Sequence, residues 1–261
     1  MNYIVTALDG EARALIEARS LKRDYVLPYP LYRNDDTLLL VSGMGKTNAL
    51  MAVSALLGWR RPGAADSLIN IGICGAPLGY TIGEALLIHQ IIEGERFFYP
   101  DILYSHSLRE ASLMCVDMPQ NAPCGYPVDM ESSAVFRAAE RFFKLHQMAF
   151  IKIVSDHCDP QSVSKEGSIA LIQKQLSAID EVSVGLNALC RVEELFTTEE
   201  REKIEWLKEH FTKSQGFALE DALTYFRLRK KTEPIVLNVS IPNSKRERNQ
   251  LFESLITTFT E

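Results

Sequence analysis

The sequence predicts an α/β fold, and two features of the chain support this prediction. Short apolar runs alternate with helix-like segments over residues 1–190, which is typical of a sheet whose strands are joined by crossover helices. Of the 261 residues, 46% are apolar and 24% are charged, as in an ordinary globular protein. At roughly 150 residues per domain, this length indicates one large domain or one domain with an appendage.

Five segments of the first 190 residues are predicted to be strands. Each is short and almost entirely apolar, as strands buried on both faces of a sheet are. They span Tyr3–Leu8, Thr37–Val41, Ser67–Ile73, Ala85–Ile92 and Ala149–Val154.

Helices are predicted between these strands and after the last one. The segment from Lys46 to Leu57 is rich in Ala and Leu, which suits a helix packed closely on a sheet. The predicted helices span Glu11–Arg19, Thr47–Leu57, Glu131–Leu145 and about Val163–Cys190.

Residues 191–261 differ from the rest of the chain because they are highly charged, with 12 Lys or Arg against 13 Asp or Glu. The sequence predicts a helix capped by Thr197 or Thr198, a helix over Leu219–Leu228, a β-like run over Pro234–Val239 and a last helix over Ser244–Phe259. This segment is too short and too charged to suggest a second enzyme domain, so we expect a mostly helical C-terminal extension.

Composition excludes several kinds of partner and site. No apolar run approaches the roughly 20 residues of a membrane span, and the net charge of −6 gives no general attraction to nucleic acid or anionic membrane.

The cysteines are scattered, odd in number and without a CxxC pair, which predicts unpaired thiols and a cytoplasmic protein. Consecutive Asp156, His157, Cys158 and Asp159 are not spaced for metal ligation, so we expect no metal or cofactor. The cysteines are Cys74, Cys115, Cys124, Cys158 and Cys190.

Two glycine-containing loops follow predicted strands, and neither matches a nucleotide-binding motif. The segment SGMGKT ends like a phosphate loop, but the first glycine of that motif would fall at Leu40. The segment GICGAP does not fit G-x-G-x-x-G. Either loop can let a small ligand approach the backbone, or its glycines can serve only the turn from strand to helix.

Three acids stand near the ends of predicted strands or the starts of helices: Glu11, Glu131 and Asp156. Taken singly, each has a structural alternative as a helix-capping or first-turn residue. Ligands of parallel sheets bind at the carboxyl ends of the strands. Together the three acids therefore predict a small-molecule site at that edge.

Five segments in order resemble the nucleoside phosphorylase and nucleosidase superfamily, most closely its methylthioadenosine/S-adenosylhomocysteine nucleosidase branch. The pairing of a V-[DE]-M-E segment with a downstream Ser-Asp carries most of the resemblance. The segments are the N-terminal strand with Glu11, SGMGKTNA (42–49), INIGICGAPLGYTIGEALLI (69–88), VDMESSAVF (128–136) and IKIVSDHCD (151–159). The resemblance implies a three-layer fold with a central mixed, twisted sheet over 1–190. It also implies a homo-oligomer acting on a purine nucleoside.

The resemblance also assigns roles to single residues. Asp156, assisted by Ser155, corresponds to the acid that protonates purine N7, and Glu131 to the carboxylate that binds the ribose hydroxyls. Glu11 corresponds to the acid that positions the attacking water, and Met130 packs on the sugar. Cleavage of an N-glycosidic bond needs these groups because positive charge develops on the sugar and negative charge on the base.

Further candidates for substrate binding follow from the same segments or lie outside them. Tyr99 is a candidate for stacking on a purine, with burial in the core as the alternative, and Asp101 is a candidate for contact with the base edge. The other candidates, from the glycine loops, are Ser42, Met44, Gly45, Cys74 and Gly75.

The sequence favours hydrolysis over phosphorolysis. A phosphate dianion needs an Arg or several donors. Asn70 and Ile73 stand where phosphorylases of the superfamily place such groups, and no arginine precedes Arg13. The sequence thus indicates an N-ribosyl hydrolase for a purine nucleoside or a 5′-modified adenosine. The alternatives are a phosphorylase with a rearranged phosphate site and a non-catalytic nucleoside-binding protein. A short stretch between Ile92 and Val128 leaves the substrate open.

Overall fold

The computed structural model describes residues 1–122, 125–190, 195–230, 233–237, 239–240 and 242–260. The chain divides into two compact units, Met1–Val192 and Glu193–Glu261. The first unit contains a mixed ten-stranded sheet with helices, which confirms the α/β prediction. No helix among the described residues is long and apolar enough to cross a membrane.

All five predicted strands are present, with ends shifted by up to two residues. The prediction missed five further strands, which are short or partly exposed. The strands are β1 Asn2–Thr6, β2 Lys22–Asp24, β3 Leu31–Arg33, β4 Thr37–Val41, β5 Ser67–Gly75, β6 Ala85–Glu93, β7 Arg96–Phe98, β8 Arg109–Cys115, β9 Val128–Asp129 and β10 Met148–Asp156.

Strand β5 is the centre of the sheet. It pairs in parallel with β1 on one side and with β10 on the other, and its last residue pairs with β9. Strands β10, β6, β8 and β9 continue from one to the next, so that with β5 they form a closed ring of pairings. The carboxyl ends of β1, β5 and β10 therefore lie at one edge of the sheet.

Two long helices of the prediction are wrong in extent. The predicted helix over Glu131–Leu145 ends at Ala139, and the one over Val163–Cys190 is interrupted at Gln175, whose φ of −101° and ψ of 8° leave the helical range. The helices are α1 Asp9–Ala18, α2 Lys46–Trp59, α3 Ser132–Ala139, α4 Lys165–Lys174, α5 Leu176–Cys190, α6 Thr198–Lys208, α7 Lys213–Arg229 and α8 Lys245–Thr260.

Two apolar clusters cover the sheet. Tyr3 and Val5 of β1 belong to the cluster that includes α2 and α3, whereas Ile4 belongs to the cluster that includes α1, α4 and α5. Successive side chains of a strand point to opposite faces, which explains this division. Ala49 and Ala52 of α2 are fully buried, so the Ala-rich composition does allow close packing.

The second unit has an apolar cluster of its own, formed largely by α6, α7 and α8. Thr197 is the N-cap of α6, and its hydroxyl accepts a hydrogen bond from Glu200 N at 3.2 Å. The described residues of the predicted β-like run, 234–237 and 239, are not in a strand, and Asn238 lies outside the described residues. Residues 191–194, at the start of the charged segment, also lie outside them.

The described cysteines are buried and form no disulfide among themselves, as the sequence predicts. They are Cys74, Cys115, Cys158 and Cys190. Cys124 lies outside the described residues.

Candidate active site

A cavity of about 260 Å³ opens where β1, β5 and β10 end. This volume approaches the lower end of the roughly 300–1,000 Å³ typical of small-molecule sites. Eight of the residues predicted from the sequence line it: Glu11, Met44, Cys74, Gly75, Met130, Glu131, Ser155 and Asp156. The structure thus brings together side chains from segments far apart in the chain.

Glu11, in the first turn of α1, is held by backbone donors. Its Oε2 accepts hydrogen bonds from the N–H groups of Ala7 at 2.8 Å and Leu8 at 2.9 Å, and its Oε1 accepts one from Ile73 at 2.9 Å. The side chain reaches back to the residues before the helix, so α1 begins at Asp9 rather than at Glu11 as predicted. Burial raises the pKa of Glu11, although nearby Lys152 and these three donors oppose the rise.

Glu131 is the N-cap residue of α3, and its side chain crosses to the start of α2. There Gly45 N donates a hydrogen bond to Glu131 Oε1 at 2.6 Å. Gly45 has a φ of +93°, a backbone conformation that favours glycine. Burial and the Asp129 carboxylate raise the pKa of Glu131 to about 7, against the lowering effect of Lys152.

Asp156 ends β10 with both carboxylate oxygens hydrogen-bonded. Oδ2 accepts from Ser155 Oγ at 2.6 Å, and Oδ1 accepts from Asp159 N at 2.7 Å. Ser155 Oγ also lies 3.1 Å from Cys74 O. Because a hydroxyl has one hydrogen, Ser155 donates either to Asp156 or to Cys74. The pair can therefore accommodate both protonation states of Asp156.

Gly75 gives Asp156 the space that it occupies, because a Cβ built on Gly75 would lie 3.2 Å from Asp156 Oδ1. Cys74 is 2% exposed, and burial raises the pKa of its thiol. A thiol is a good nucleophile only as the thiolate. Cys74 is therefore part of the cavity wall and does not supply a reactive sulfur.

A buried ion pair beside the cavity was not predicted from the sequence. Lys152 Nζ lies 2.9 Å from Asp129 Oδ2, and the two side chains are 2% and 1% exposed. Ser132 donates to the same oxygen from its backbone N at 3.0 Å and from Oγ at 2.5 Å. The sequence signal that could have revealed this ion pair is the lysine inside the apolar run of β10, since a buried charged residue must be paired.

Four candidate residues do not line the cavity. Ser42 is buried and donates to Gly43 O, whereas Gly45 acts through Glu131. Tyr99 follows the hairpin strand β7, is half-exposed, and its hydroxyl accepts a hydrogen bond from Gln90 Nε2. Asp101 is exposed and outside the cavity wall. The structure does not bring Tyr99 and Asp101 to the site.

Other wall residues were missed because they belong to no recognisable motif. Val116, Pro119 and Gln120 follow β8, a strand that was itself not predicted. Leu8 and Val163 add apolar surface on the side of α1. Among the described residues, no group of three His, Cys, Asp or Glu side chains is arranged to hold a metal ion.

Solved structures share this fold. The 5′-methylthioadenosine/S-adenosylhomocysteine nucleosidase of S. pneumoniae, solved with a transition-state inhibitor, matches with a TM-score of 0.58 and 18% identity over 72% of this chain and 100% of that one. The 5′-methylthioadenosine nucleosidase of Arabidopsis thaliana matches with a TM-score of 0.57 and 18% identity over 74% of this chain and 96% of that one. Futalosine hydrolase of Helicobacter pylori matches with a TM-score of 0.54 and 13% identity over 70% of this chain and 97% of that one. No protein-family model and no curated protein matches the sequence.

The chain therefore has the fold of the nucleoside phosphorylase and nucleosidase superfamily. The three solved structures described above are of two nucleosidases and a hydrolase. The resemblance predicted from the sequence segments is confirmed at the level of the fold.

Proposed function

We propose that this protein is an N-ribosyl hydrolase that cleaves the N-glycosidic bond of a purine nucleoside or a 5′-modified adenosine. The observation that carries the proposal is the position of Glu11. The backbone N–H groups of Ala7, Leu8 and Ile73 all donate to its carboxylate, so these three donors are not free to hold a phosphate. An anchored carboxylate suits the activation of water instead.

The reaction assigns one role to each acid. Glu131 accepts hydrogen bonds from the ribose hydroxyls, and its negative charge stabilises the positive charge that develops at C1′. Asp156 gives its proton to purine N7 as the C1′–N9 bond breaks. The electron pair of that bond moves to the base. Ser155 then turns from Cys74 O to the new carboxylate.

Water completes the reaction on the other side of the sugar. Glu11 accepts a proton from water as the water oxygen forms a bond to C1′. The products are the free base and the free sugar. Met130 and Met44 supply apolar surface for the sugar, since both line the cavity.

No single contact in the structure identifies the substrate, so the test uses several nucleosides. Purified protein is incubated without phosphate with methylthioadenosine, adenosine, inosine and futalosine, and free base is measured. We expect release from at least one of them with the free sugar as co-product. A folded protein that releases base from none would contradict the proposal.

A phosphorylase with a rearranged phosphate site is the second candidate. It predicts that added phosphate accelerates base release and that ribose 1-phosphate accumulates. A non-catalytic nucleoside-binding protein predicts thermal shifts with nucleosides and no turnover. Each outcome is distinct from that of a hydrolase.

We further propose that residues 1–190 are the catalytic domain, with helices on both sides of the sheet as three layers, and that the protein is a homo-oligomer. Leu50, Met51 and Trp59 of α2 are exposed apolar side chains, and Met44 next to them lines the cavity. A second copy covering this face would bury them. Light scattering coupled to size exclusion tests this, and a monomer at micromolar concentration would contradict it.

A further inference from the structure

Gly72 of β5 lies between Glu11 and Lys152. Strand β5 pairs with β1 on one side and with β10 on the other, and Lys152 of β10 is the register partner of Gly72. A Cβ on Gly72 would lie 2.9 Å from Glu11 Oε1 and 3.3 Å from Lys152 Nζ. The missing side chain therefore lets the carboxylate and the ammonium group approach the same point of the sheet.

Asp129 forms an ion pair with the Lys152 ammonium group. Lys152 Nζ lies 2.9 Å from Asp129 Oδ2, which also accepts two hydrogen bonds from Ser132. Burial by itself would lower the pKa of Lys152, but the carboxylates of Asp129, Glu131 and Glu11 outweigh it and raise the pKa. Lys152 is therefore charged although it is almost completely buried.

Titratable groups near Lys152 come from four segments, whereas its register partner on β6 is the apolar Leu86. They are Glu11 from α1, Asp129 from β9, Glu131 from the start of α3, and Cys74 from β5. Burial raises the pKa of the Cys74 thiol, which stays neutral. Three carboxylates thus lie near one cation, and the positive charge of Lys152 opposes the protonation of both Glu11 and Glu131, together with their backbone donors.

We propose that Lys152 is a positioning residue whose buried positive charge, held beside Gly72 by Asp129, favours the ionised forms of Glu11 and Glu131. Lys152 is not part of the cavity wall, so it acts through the two acids that are. The inference rests on the proposed hydrolase activity, in which ionised Glu11 accepts a proton from water and ionised Glu131 binds the ribose.

The test compares two substitutions that shift the same titration in opposite directions. Lys152→Met removes the cation, so the acid limb of the pH profile of kcat/KM moves to higher pH by about 1–3 units. Asp129→Asn removes a competing anion and leaves the cation, so the acid limb moves to lower pH. Lys152→Arg retains the charge and keeps the acid limb at the wild-type position.

Controls separate this role from a purely structural one. Lys174→Met, at the exposed end of α4, should leave the acid limb unmoved. Thermal melting shows whether each variant is folded. If Lys152→Met does not fold, the direction of the shift in Asp129→Asn decides. Equal losses at every pH, or shifts of both variants in the same direction, would overturn the proposal.

A second readout does not depend on turnover. In protein labelled with ¹³C at the glutamate carboxyl carbon, the signals of Glu11 and Glu131 are followed against pH in the wild type and both variants. Opposite shifts of these titrations without base release from any nucleoside would leave the role of Lys152 intact and contradict the hydrolase. Base release with unshifted titrations would contradict the role of Lys152 alone.

Discussion

Glu11 Oε1 and Lys152 Nζ both lie close to the Cα of Gly72, although Glu11 is in the first helix and Lys152 in the last strand of the sheet. A methyl group on Gly72 would lie 2.9 Å from Glu11 Oε1 and 3.3 Å from Lys152 Nζ. Glu11 cannot withdraw without losing backbone donors, and Lys152 cannot withdraw without losing Asp129. This position is therefore sensitive to the smallest possible substitution.

Gly72→Ala is expected to lower kcat/KM by about tenfold to 100-fold, because it displaces a reacting carboxylate by a fraction of an ångström to about one ångström. It should also lower the free energy of unfolding by about 1–3 kcal/mol. Steady-state kinetics and urea denaturation measure the two effects. Gly79→Ala is the matched control, since a Cβ there meets no atom within 4 Å. Wild-type kinetics in Gly72→Ala would show that the close approach has no function.

Asp156→Asn is expected to lower kcat by about 10²–10⁴-fold, because the amide cannot give a proton to the purine. Binding should persist and appear as a thermal shift with nucleoside. Asp159→Asn is the control, since Asp159 contacts Asp156 through its backbone N and its side chain is exposed. Equal activity of the two variants would remove Asp156 from the mechanism.

Glu11→Gln is expected to lower kcat by about 10²–10⁴-fold with little change in nucleoside binding, because only the attack of water needs a base at this position. Single-turnover kinetics and thermal shifts separate the two effects. Glu17→Gln, on the exposed side of the same helix, is the control. If Glu11→Gln weakened binding but left kcat unchanged, Glu11 would be a substrate-binding group only.

Glu131 links stability to pH. Its pKa is raised from 4.5 in the unfolded chain to about 7, so the folded state binds more protons between these values, and stability falls as pH rises from about 4.5 to 7. Glu131→Gln should therefore raise the free energy of unfolding at pH 8 by about 1–3 kcal/mol. The same variant should lose activity.

Urea denaturation of the wild type and Glu131→Gln at pH 8 and at pH 4 measures this effect. The stability difference should disappear at the lower pH, where both side chains are neutral. Glu140→Gln, at the exposed end of α3, is the control and should show no such dependence. A difference that does not change with pH would show that ionisation of Glu131 is not its cause.

Thr197→Ala is expected to destabilise α6 by about 1 kcal/mol, because it removes the acceptor for Glu200 N. Amide hydrogen exchange in α6 measures the local effect. Thr198→Ala is the matched control, since Thr198 is inside the helix and does not cap it. Faster exchange in Thr198→Ala than in Thr197→Ala would show that Thr198, and not Thr197, caps α6.

Local sequence predicted much of the fold. The apolar runs that became β1, β4, β5, β6 and β10 were visible because strands buried on both faces need continuous apolar sequence. By contrast, β2 and β7 are exposed and only three residues long, and β9 has two residues. Strands this short contain too few residues to show a periodic apolar pattern.

The sequence by itself determined the class of fold and the three acids of the site. Glu11, Glu131 and Asp156 could be identified because the ends of apolar strands and the starts of helices are local features. The tertiary structure alone decided how these acids are held. Gly45 and Glu131 are 86 positions apart in the sequence. Gly72 lies 61 positions after Glu11 and 80 positions before Lys152. Lys152 and Asp129 are 23 positions apart, on strands β10 and β9, which lie on either side of β5. Such contacts depend on strand register, which no single segment contains.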